Sequence, residues 1–387
     1  MIGDVAIIGA GIAGASLACE LAGGASVLLL EAEAFAGYHT TGRSAALFNE
    51  CYGNAVIRAL TAAARDFFIT PPAGFAATAL LMPRGCLIIA RADQQASLEA
   101  QFRAAPQIVP IDAAEARRRV PVLRPDAVAA AGYDAAAMDI DVHALHQGFL
   151  RGAKAQGARL VTDARVTAIE RRAGRWHLTT EAGTVQARIL VNAAGAWAGE
   201  IGRMAGATPI GLTPLRRTAL LIDPPPGSDS GGWPMVLDAD EEFYFKPDAG
   251  RLLVSPADET PSPPCDAQPE ELDIALAIDR LQRAADLPVR RIFRSWAGLR
   301  SFVADRSPVV GWDTGIEGLF WLAGQGGYGI QTAPALARLA ASLCRGEAVP
   351  ADLAARGLSE AVLSPGRLLN SPPTRGPASP AASMLPE

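Results

Sequence analysis

Three glycines near the start of the chain, Gly9, Gly11 and Gly14, stand at the G-x-G-x-x-G spacing, and an acid, Glu31, closes the next apolar run. These residue types suit one chemistry, the holding of a dinucleotide. Gly9 permits a tight turn, Gly11 lets backbone approach a pyrophosphate, and Gly14 lets a helix pack close to a strand. From Ile12 and Ala13 onward the N–H groups of a helix N-terminus then face the phosphates. A carboxylate at Glu31 can accept from both ribose hydroxyls and would repel a 2′-phosphate, so the ligand is adenosine-terminated, as in FAD or NAD.

The elements that must position these residues are legible around them. Residues 5–8 are apolar and β-branched, as in a fully buried parallel strand. A helix from about Ile12 to Leu21 and a second strand over 27–30 follow. The order strand, glycines, helix, strand, acid makes the motif specific where glycines alone would not. The next loop, 36–46, carries Thr40, Thr41, Arg43 and Ser44. It reads as a second phosphate clamp, or more plainly as a polar turn with Ser44 capping a helix.

The chain of 387 residues has room for two domains, or for one large α/β domain with an insert, and half of its residues are hydrophobic. A formal charge of −5 with no basic stripe argues against a nucleic-acid partner. Five scattered cysteines without a C-x-x-C pair argue for a reducing compartment, and a cytoplasmic location is expected. No basic leader and no apolar run of ~20 residues is seen, so neither a signal peptide nor an integral membrane segment is expected. His143 and His146 lie beside Asp139 and Asp141 but lack a third ligand at a fitting spacing, so no metal site is expected.

Further along, helices are predicted over 60–68, 93–119 and 270–285, and one starts near a cap at Asp139 or Asp141. Residues 85–90 read as a strand, 157–187 as strands and a small meander, and 189–193 as a buried strand. That last strand runs into Ala194, Gly195 and Trp197, small residues that bring backbone close to a cofactor. From about 207 the character becomes β, with Arg216 and Arg217 on a strand over 214–222 and a hairpin over 242–254. A strand at 319–323 precedes a second glycine-rich turn, Gly324 to Gly329, opening a helix through Ile330 and Gln331. Its positive N-terminus suits an anionic or electron-rich group.

Taken in order, the N-terminal fingerprint, Thr41-Gly-Arg-Ser-Ala-Ala46, Val191-Asn-Ala-Ala-Gly-Ala-Trp197, Trp296-Ala-Gly-Leu-Arg300 and Gly326-Gly-Tyr-Gly-Ile-Gln331 resemble the D-amino acid oxidase (DAO-type) family of FAD-dependent amine oxidoreductases. Within it the chain most resembles the bacterial FAD-dependent D-arginine dehydrogenases. The resemblance implies an α/β fold with a β-rich insert: a Rossmann-like FAD-binding domain (GR2-type) and a discontinuous, antiparallel-sheet substrate domain. The FAD domain would comprise 1–80, 138–205 and 300–364, and the substrate domain 81–137 and 206–299. A disordered tail would occupy 365–387.

The same resemblance implies non-covalent FAD and the oxidative deamination of a D-amino acid. Hydride would pass from the α-carbon to flavin N5, giving an imino acid and then a 2-oxo acid and ammonia. The electron acceptor, oxygen or a quinone-type carrier, stays open. Arg217 and Arg300 match carboxylate-binding arginines, and Tyr52 and Tyr244 match active-site tyrosines. Arginine's planar fork suits that task, although an isolated strand arginine is structural more often than catalytic. Gln331 would serve the flavin end. Cofactor contacts would come from the glycine loop, Glu31 and Ala32, the run Arg43, Ser44, Ala45 and Ala46, then Val166, Ala194, Gly195, Trp197 and Gly298. Gly326, Gly327, Tyr328, Gly329 and Ile330 would complete them.

The substrate pocket would include Leu47, Cys86 and Gly327. Leu47 and Cys86 stand where the arginine-directed enzymes have a histidine and a glutamate. Losing that countercharge points to neutral or hydrophobic substrates. Alternatives are a secondary amine of sarcosine or proline type, a 2-hydroxy acid, a D-arginine dehydrogenase proper, or a flavin-carrying component of a larger complex.

Overall fold

The computed structural model describes residues 1–369. Strand Val5–Ile8 is fully buried and pairs in parallel with Val27–Leu30 on one side and Ile189–Asn192 on the other. The sheet continues outward to Arg159–Val161 at one edge, and through Leu319–Ala323 to Val309–Trp312 at the other. Only Val309–Trp312 runs antiparallel to its neighbour. Strand side chains alternate between faces, and both faces here are covered. Ile7, Leu29 and Val191 meet the helices Ile12–Leu21, Val142–Ala155 and Gly329–Cys344. Ala6, Ile8, Leu28 and Leu190 meet Trp176, Leu178 and Val185 of a three-stranded meander. That is why these strands read as unbroken apolar runs.

A second, larger sheet is built from two distant parts of the chain. Its order is Thr260–Pro261, Thr213–Ile222, Arg251–Ser255, Tyr244–Asp248, Met235–Asp238, Cys86–Ala90, Ala130–Asp134 and Val109–Ile111, with Ile292–Phe302 also paired to Thr213–Ile222. One face packs on helix Glu271–Ala284 through Leu220, Phe245, Val254 and Leu281. The opposite face looks toward the first sheet. A small sheet of Leu47–Phe48, Met138–Ile140 and Leu81–Pro83 ties the two parts together.

Several elements differ from expectation. The large sheet is not wholly antiparallel: Met235–Asp238 and Cys86–Ala90, arriving from separate segments, pair in parallel. The helix expected over 93–119 is broken into Gln95–Ala104 and Ala113–Arg119 around an edge strand, Val109–Ile111. Pro106 and Pro110 explain the break, because proline lacks the N–H a helix needs and an edge strand tolerates it. Strand Ile292–Phe302 carries the larger sheet past residue 300, where the chain was expected to have crossed back already, so the return to the first sheet follows Phe302.

Asp141, not Asp139, caps the helix, accepting from Ala144 N at 2.8 Å. Asp139 is instead held between Arg84 and Lys246, each at 2.6 Å. His146 Nε2 bonds the Ala10 carbonyl at 2.9 Å and so braces the glycine loop. Beyond Ser364, where a tail without order was expected, Gly366–Leu369 forms one helical turn with Arg367 on Asp305 at 2.7 Å; 370–387 lie outside the described residues. Among the described residues no helix is long and apolar enough to cross a membrane.

Candidate active site

The glycine loop joins strand Val5–Ile8 to helix Ile12–Leu21, with Gly9 at φ 100°. A Cβ on Gly14 would lie 1.9 Å from the Gly9 carbonyl oxygen, so the helix rests directly on the turn. Glu31 reaches this turn from the neighbouring strand: its Oε2 accepts from Ala10 N at 3.0 Å and its Oε1 from Glu33 N at 3.1 Å. Burial raises the Glu31 carboxyl above its ordinary value, and these backbone donors offset part of the shift.

The turn Thr40–Arg43 lies between the two large sheets. Thr41 Oγ1 accepts from Ile12 N at 3.0 Å, while Thr40 Oγ1 donates to the Leu299 carbonyl at 2.7 Å. The Arg43 guanidinium donates to the carbonyls of Ala297 and Ala267 and pairs with Asp266. The turn expected to clamp phosphate also braces the two sheets, and it lines the trough through Thr40, Thr41, Arg43 and Ser44.

Two clefts meet at this turn. One, of about 1060 Å³, is lined by Glu31, Ala32, Val166, Ala194 and Trp197. The other, of about 940 Å³, is lined by Ile12, Ala13, Ser44, Ala45, Gly298, Gly326, Gly329 and Ile330. They share Gly11, Thr40, Thr41, Ala193 and Gly195, which makes one long trough. An acid lies at one end, a helix N-terminus faces the middle, and the start of helix Gly329–Cys344 lies at the other end. That donor set fits a dinucleotide as long as FAD.

A third cavity, of about 640 Å³, opens from the trough and shares Arg217, Tyr244, Arg300 and Gly327 with it. Arg300 and Arg217 come from paired strands, in which Leu215 faces Arg300 and Arg217 faces Gly298. Strand alternation sends Arg216 to the other face, where it is buried on Asp273 at 3.0 Å and on Glu270. Arg300 lies against Gly327: a Cβ there would stand 2.6 Å from its Nη1, so a larger residue would push the guanidinium from its place. Among the described residues Arg300 has no carboxylate within ion-pair reach, although it is only partly exposed. It faces the phenols of Tyr52 and Tyr244 instead, and they help hold its pKa above the ordinary value despite desolvation.

Arg217 is differently placed. Its Nε donates to the Asp258 carbonyl at 2.8 Å and its Nη2 to Glu259 at 3.1 Å, leaving the Nη1 end. Gln331 is buried and held on both sides, accepting from Asn49 N at 3.2 Å and donating to Thr61 Oγ1 at 3.0 Å. Tyr328 turns its ring toward Tyr52, with centroids 5.0 Å apart. Leu47, Cys86, Met235 and Leu237 supply an apolar wall, with Ala46 beside it. Burial, with Asp134 and Glu241 adding to it, pushes the Cys86 thiol up to about 12, so it is neutral.

Sequence reasoning missed Glu241. It lines the same cavity, with Tyr52 Oη 3.4 Å from its Oε2. Its backbone takes φ 57°, in a turn fastened by Asp238, which accepts from Asp240 N and Glu242 N. The pocket is thus not without an acid, as the replacement of a glutamate by Cys86 suggested. The only signal was the acidic run Asp238 to Glu242, which read as the entry to a hairpin.

Burial alone would raise the Tyr244 phenol, but Arg300 and Arg217 outweigh it, and the phenol ionises below its ordinary value. A carboxylate that neutralises Arg300 removes part of that pull and favours the protonated phenol. Affinity for a simple carboxylate is therefore expected to fall as pH rises through the Tyr244 pKa. Calorimetric titration against pH checks this, and Tyr244→Phe should flatten the profile.

The chain matches the family model described as FAD dependent oxidoreductase (DAO) over residues 4–343. It is 28% identical over 213 residues to hydrogen cyanide synthase subunit HcnC of Pseudomonas aeruginosa, covering 54% of this chain and 50% of that one. It is 27% identical to glycine oxidase of Bacillus licheniformis, covering 55% and 57%. The chain spans about half the length of the curated relatives it matches first. Among solved structures it is similar to glycine oxidase from Geobacillus kaustophilus, with TM-score 0.79 and 22% identity, covering 94% of this chain and 98% of that one. It is also similar to L-proline dehydrogenase from P. horikoshii, with TM-score 0.75 and 22% identity, covering 95% and 97%. None of these names carries the likeness to arginine-directed enzymes; what they support is the broader group. The chain belongs to the DAO family of FAD dependent oxidoreductases, and FAD is its cofactor.

Proposed function

We propose that the protein oxidises a small amino acid at its α-carbon, with Arg300 as the receptor for the substrate carboxylate. The observation that carries this is a guanidinium aimed into a cavity with two phenols and no acid partner of its own among the described residues. A confined cation without a counterion is costly, and a carboxylate ligand relieves that cost through a bidentate pair. When bound, FAD supplies the acceptor for the hydride released from the α-carbon.

The protein's part is orientation. Arg300 fixes the carboxylate, and the Tyr52 and Tyr244 hydroxyls and the Nη1 end of Arg217 are placed to bond it. The N-terminus of helix Gly329–Cys344, with Gln331 locked in its first turn, offers positive potential where negative charge develops on the cofactor. The wall of Leu47, Cys86, Met235 and Leu237 favours a neutral or apolar side chain. The D-configuration rests only on the motif likeness to D-amino acid oxidases read in the sequence.

A second reading keeps this machinery and changes the amine. Glycine oxidase and dimethylglycine dehydrogenase are among the relatives, and L-proline dehydrogenase shares the fold. A secondary amine or glycine itself would place its carboxylate on Arg300 in the same way.

Anaerobic bleaching of the bound flavin by a panel of substrates tests both readings. Neutral D-amino acids such as D-Met and D-Leu are expected to bleach it faster than D-Arg or any L-form. Bleaching by sarcosine, D-proline or glycine alone would favour the second reading. Faster bleaching by D-Arg would overturn the neutral-pocket assignment and give the lip acid Glu241 the part of countercharge. If no amine or amino acid bleaches it, the proposal fails.

A further inference from the structure

We propose that Glu259 determines specificity: it is a carboxylate of the protein's own that occupies Arg217 and restricts the site to substrates with a single carboxylate. The inference rests on Arg300 being the substrate's carboxylate receptor. Arg217 and Arg300 both face the cavity from paired strands. Two neighbouring guanidiniums would ordinarily suit a dicarboxylate, but here Arg217 is already held by Glu259 through Nη2 and keeps only its Nη1 end for the carboxylate on Arg300. The Arg217–Glu259 pair is mostly shielded, its side chains 10% and 33% exposed, so it is screened less than a surface pair.

Glu259 is not free to swing away. Arg306 grips both of its oxygens, Nη1 on Oε2 at 3.0 Å and Nη2 on Oε1 at 2.7 Å. Arg306 in turn lies 3.8 Å over the Phe302 ring. The segment is anchored from the other side as well. The Asp258 carboxylate accepts from Thr218 N at 2.7 Å and from Thr218 Oγ1 at 3.1 Å. Ala257 adopts φ 52°, and this bend lets the Asp258 carbonyl and the Glu259 side chain reach Arg217 together. Burial would raise the Glu259 carboxyl, but Arg306, Arg217 and Arg300 hold it below its ordinary value, so it stays ionised at neutral pH.

Placing a second substrate carboxylate at Arg217 would set it against this fixed negative charge. Like charges so juxtaposed exclude a ligand more strongly than a missing contact does. The role is one of selection, read in the ratio between ligands rather than in overall activity.

The test uses the FAD-loaded protein and two unreactive probes, propionate and succinate, with binding measured by calorimetry. Glu259→Gln is expected to raise succinate affinity relative to propionate by about tenfold or more, the worth of one hydrogen bond to a charged group. D-aspartate should gain on D-alanine by a similar factor in kcat/KM. An unchanged ratio in a variant with wild-type Tm and FAD content would overturn the proposal. If the single variant is unstable because Arg306 loses its partner, the Glu259→Gln, Arg306→Gln pair restores a neutral contact and the same ratio is read. Arg300→Met separates the two layers. If propionate binding survives it, the underlying receptor assignment has failed. If Arg300→Met abolishes propionate binding while Glu259→Gln leaves the ratio unmoved, only the role of Glu259 has failed.

Discussion

Arg300→Met is expected to lower kcat/KM for an amino acid substrate by roughly 10²- to 10³-fold, about 3–4 kcal/mol, the usual range for truncating one partner of a desolvated charge pair. Most of the loss should appear in KM, since the carboxylate is held alike before and during reaction. FAD content should change little, because Arg300 reaches the shared wall between trough and cavity from the larger sheet, away from the glycine loop. Arg300→Lys keeps the charge but loses the planar fork, so it should recover only part of the affinity. Steady-state kinetics with a neutral D-amino acid, alongside the flavin-to-protein absorbance ratio, measures both quantities. A fall in Tm with KM unchanged would mark Arg300 as a structural residue.

Gly14→Ala should have the largest effect on cofactor retention. The new methyl would stand 1.9 Å from the Gly9 carbonyl oxygen, a backbone atom held in place by the Gly9 N–H bond to the Leu30 carbonyl at 2.8 Å. Helix and turn would have to part, with a loss of roughly 3 kcal/mol or more, as for other overpacked sites. The helix N-terminus would shift away from the phosphate position, so purified protein should carry little FAD and melt earlier. Gly199→Ala is the matched control. That glycine is exposed in helix Ala198–Met204 with nothing within 4 Å of the added carbon. It should be neutral, or stabilise by about 0.5–1 kcal/mol through helix propensity.

The contrast between these two glycines shows what can be read from sequence. The dinucleotide half was legible because its signal is local: Gly9, Gly11, Gly14 and Glu31 lie within one strand–helix–strand unit whose geometry follows from spacing. Strand alternation also separated Arg217 from Arg216, and the structure sends them to opposite faces. The acids in and near the third cavity were not legible. Glu241 depends on a left-handed turn fastened by Asp238, itself held by Gln94 from a distant segment. Glu259 depends on a similar bend at Ala257 and on Arg306 from across the site. Both are tertiary in origin, and no short-range pattern marks them. The parallel pairing of Met235–Asp238 with Cys86–Ala90 was hidden for the same reason. The break in the helix expected over 93–119 was different: the prolines were in view, but the alanine-rich pattern around them outweighed their signal.

The turn Thr40–Arg43 bonds the cofactor helix through Thr41 and the arginine strand through Thr40 and Arg43. Ile12 and Leu299 are thus clamped by two consecutive hydroxyls, one hydrogen bond each. Thermodynamically this couples two ligands that need not touch. With a carboxylate on Arg300 as proposed, ordering the glycine loop around a pyrophosphate would also order the strand that presents Arg300, and the carboxylate would steady the loop in return. Linkage requires the two effects to be equal in free energy. On that reading, the tightness with which the protein keeps its cofactor would also measure how far its substrate site is formed before any substrate arrives.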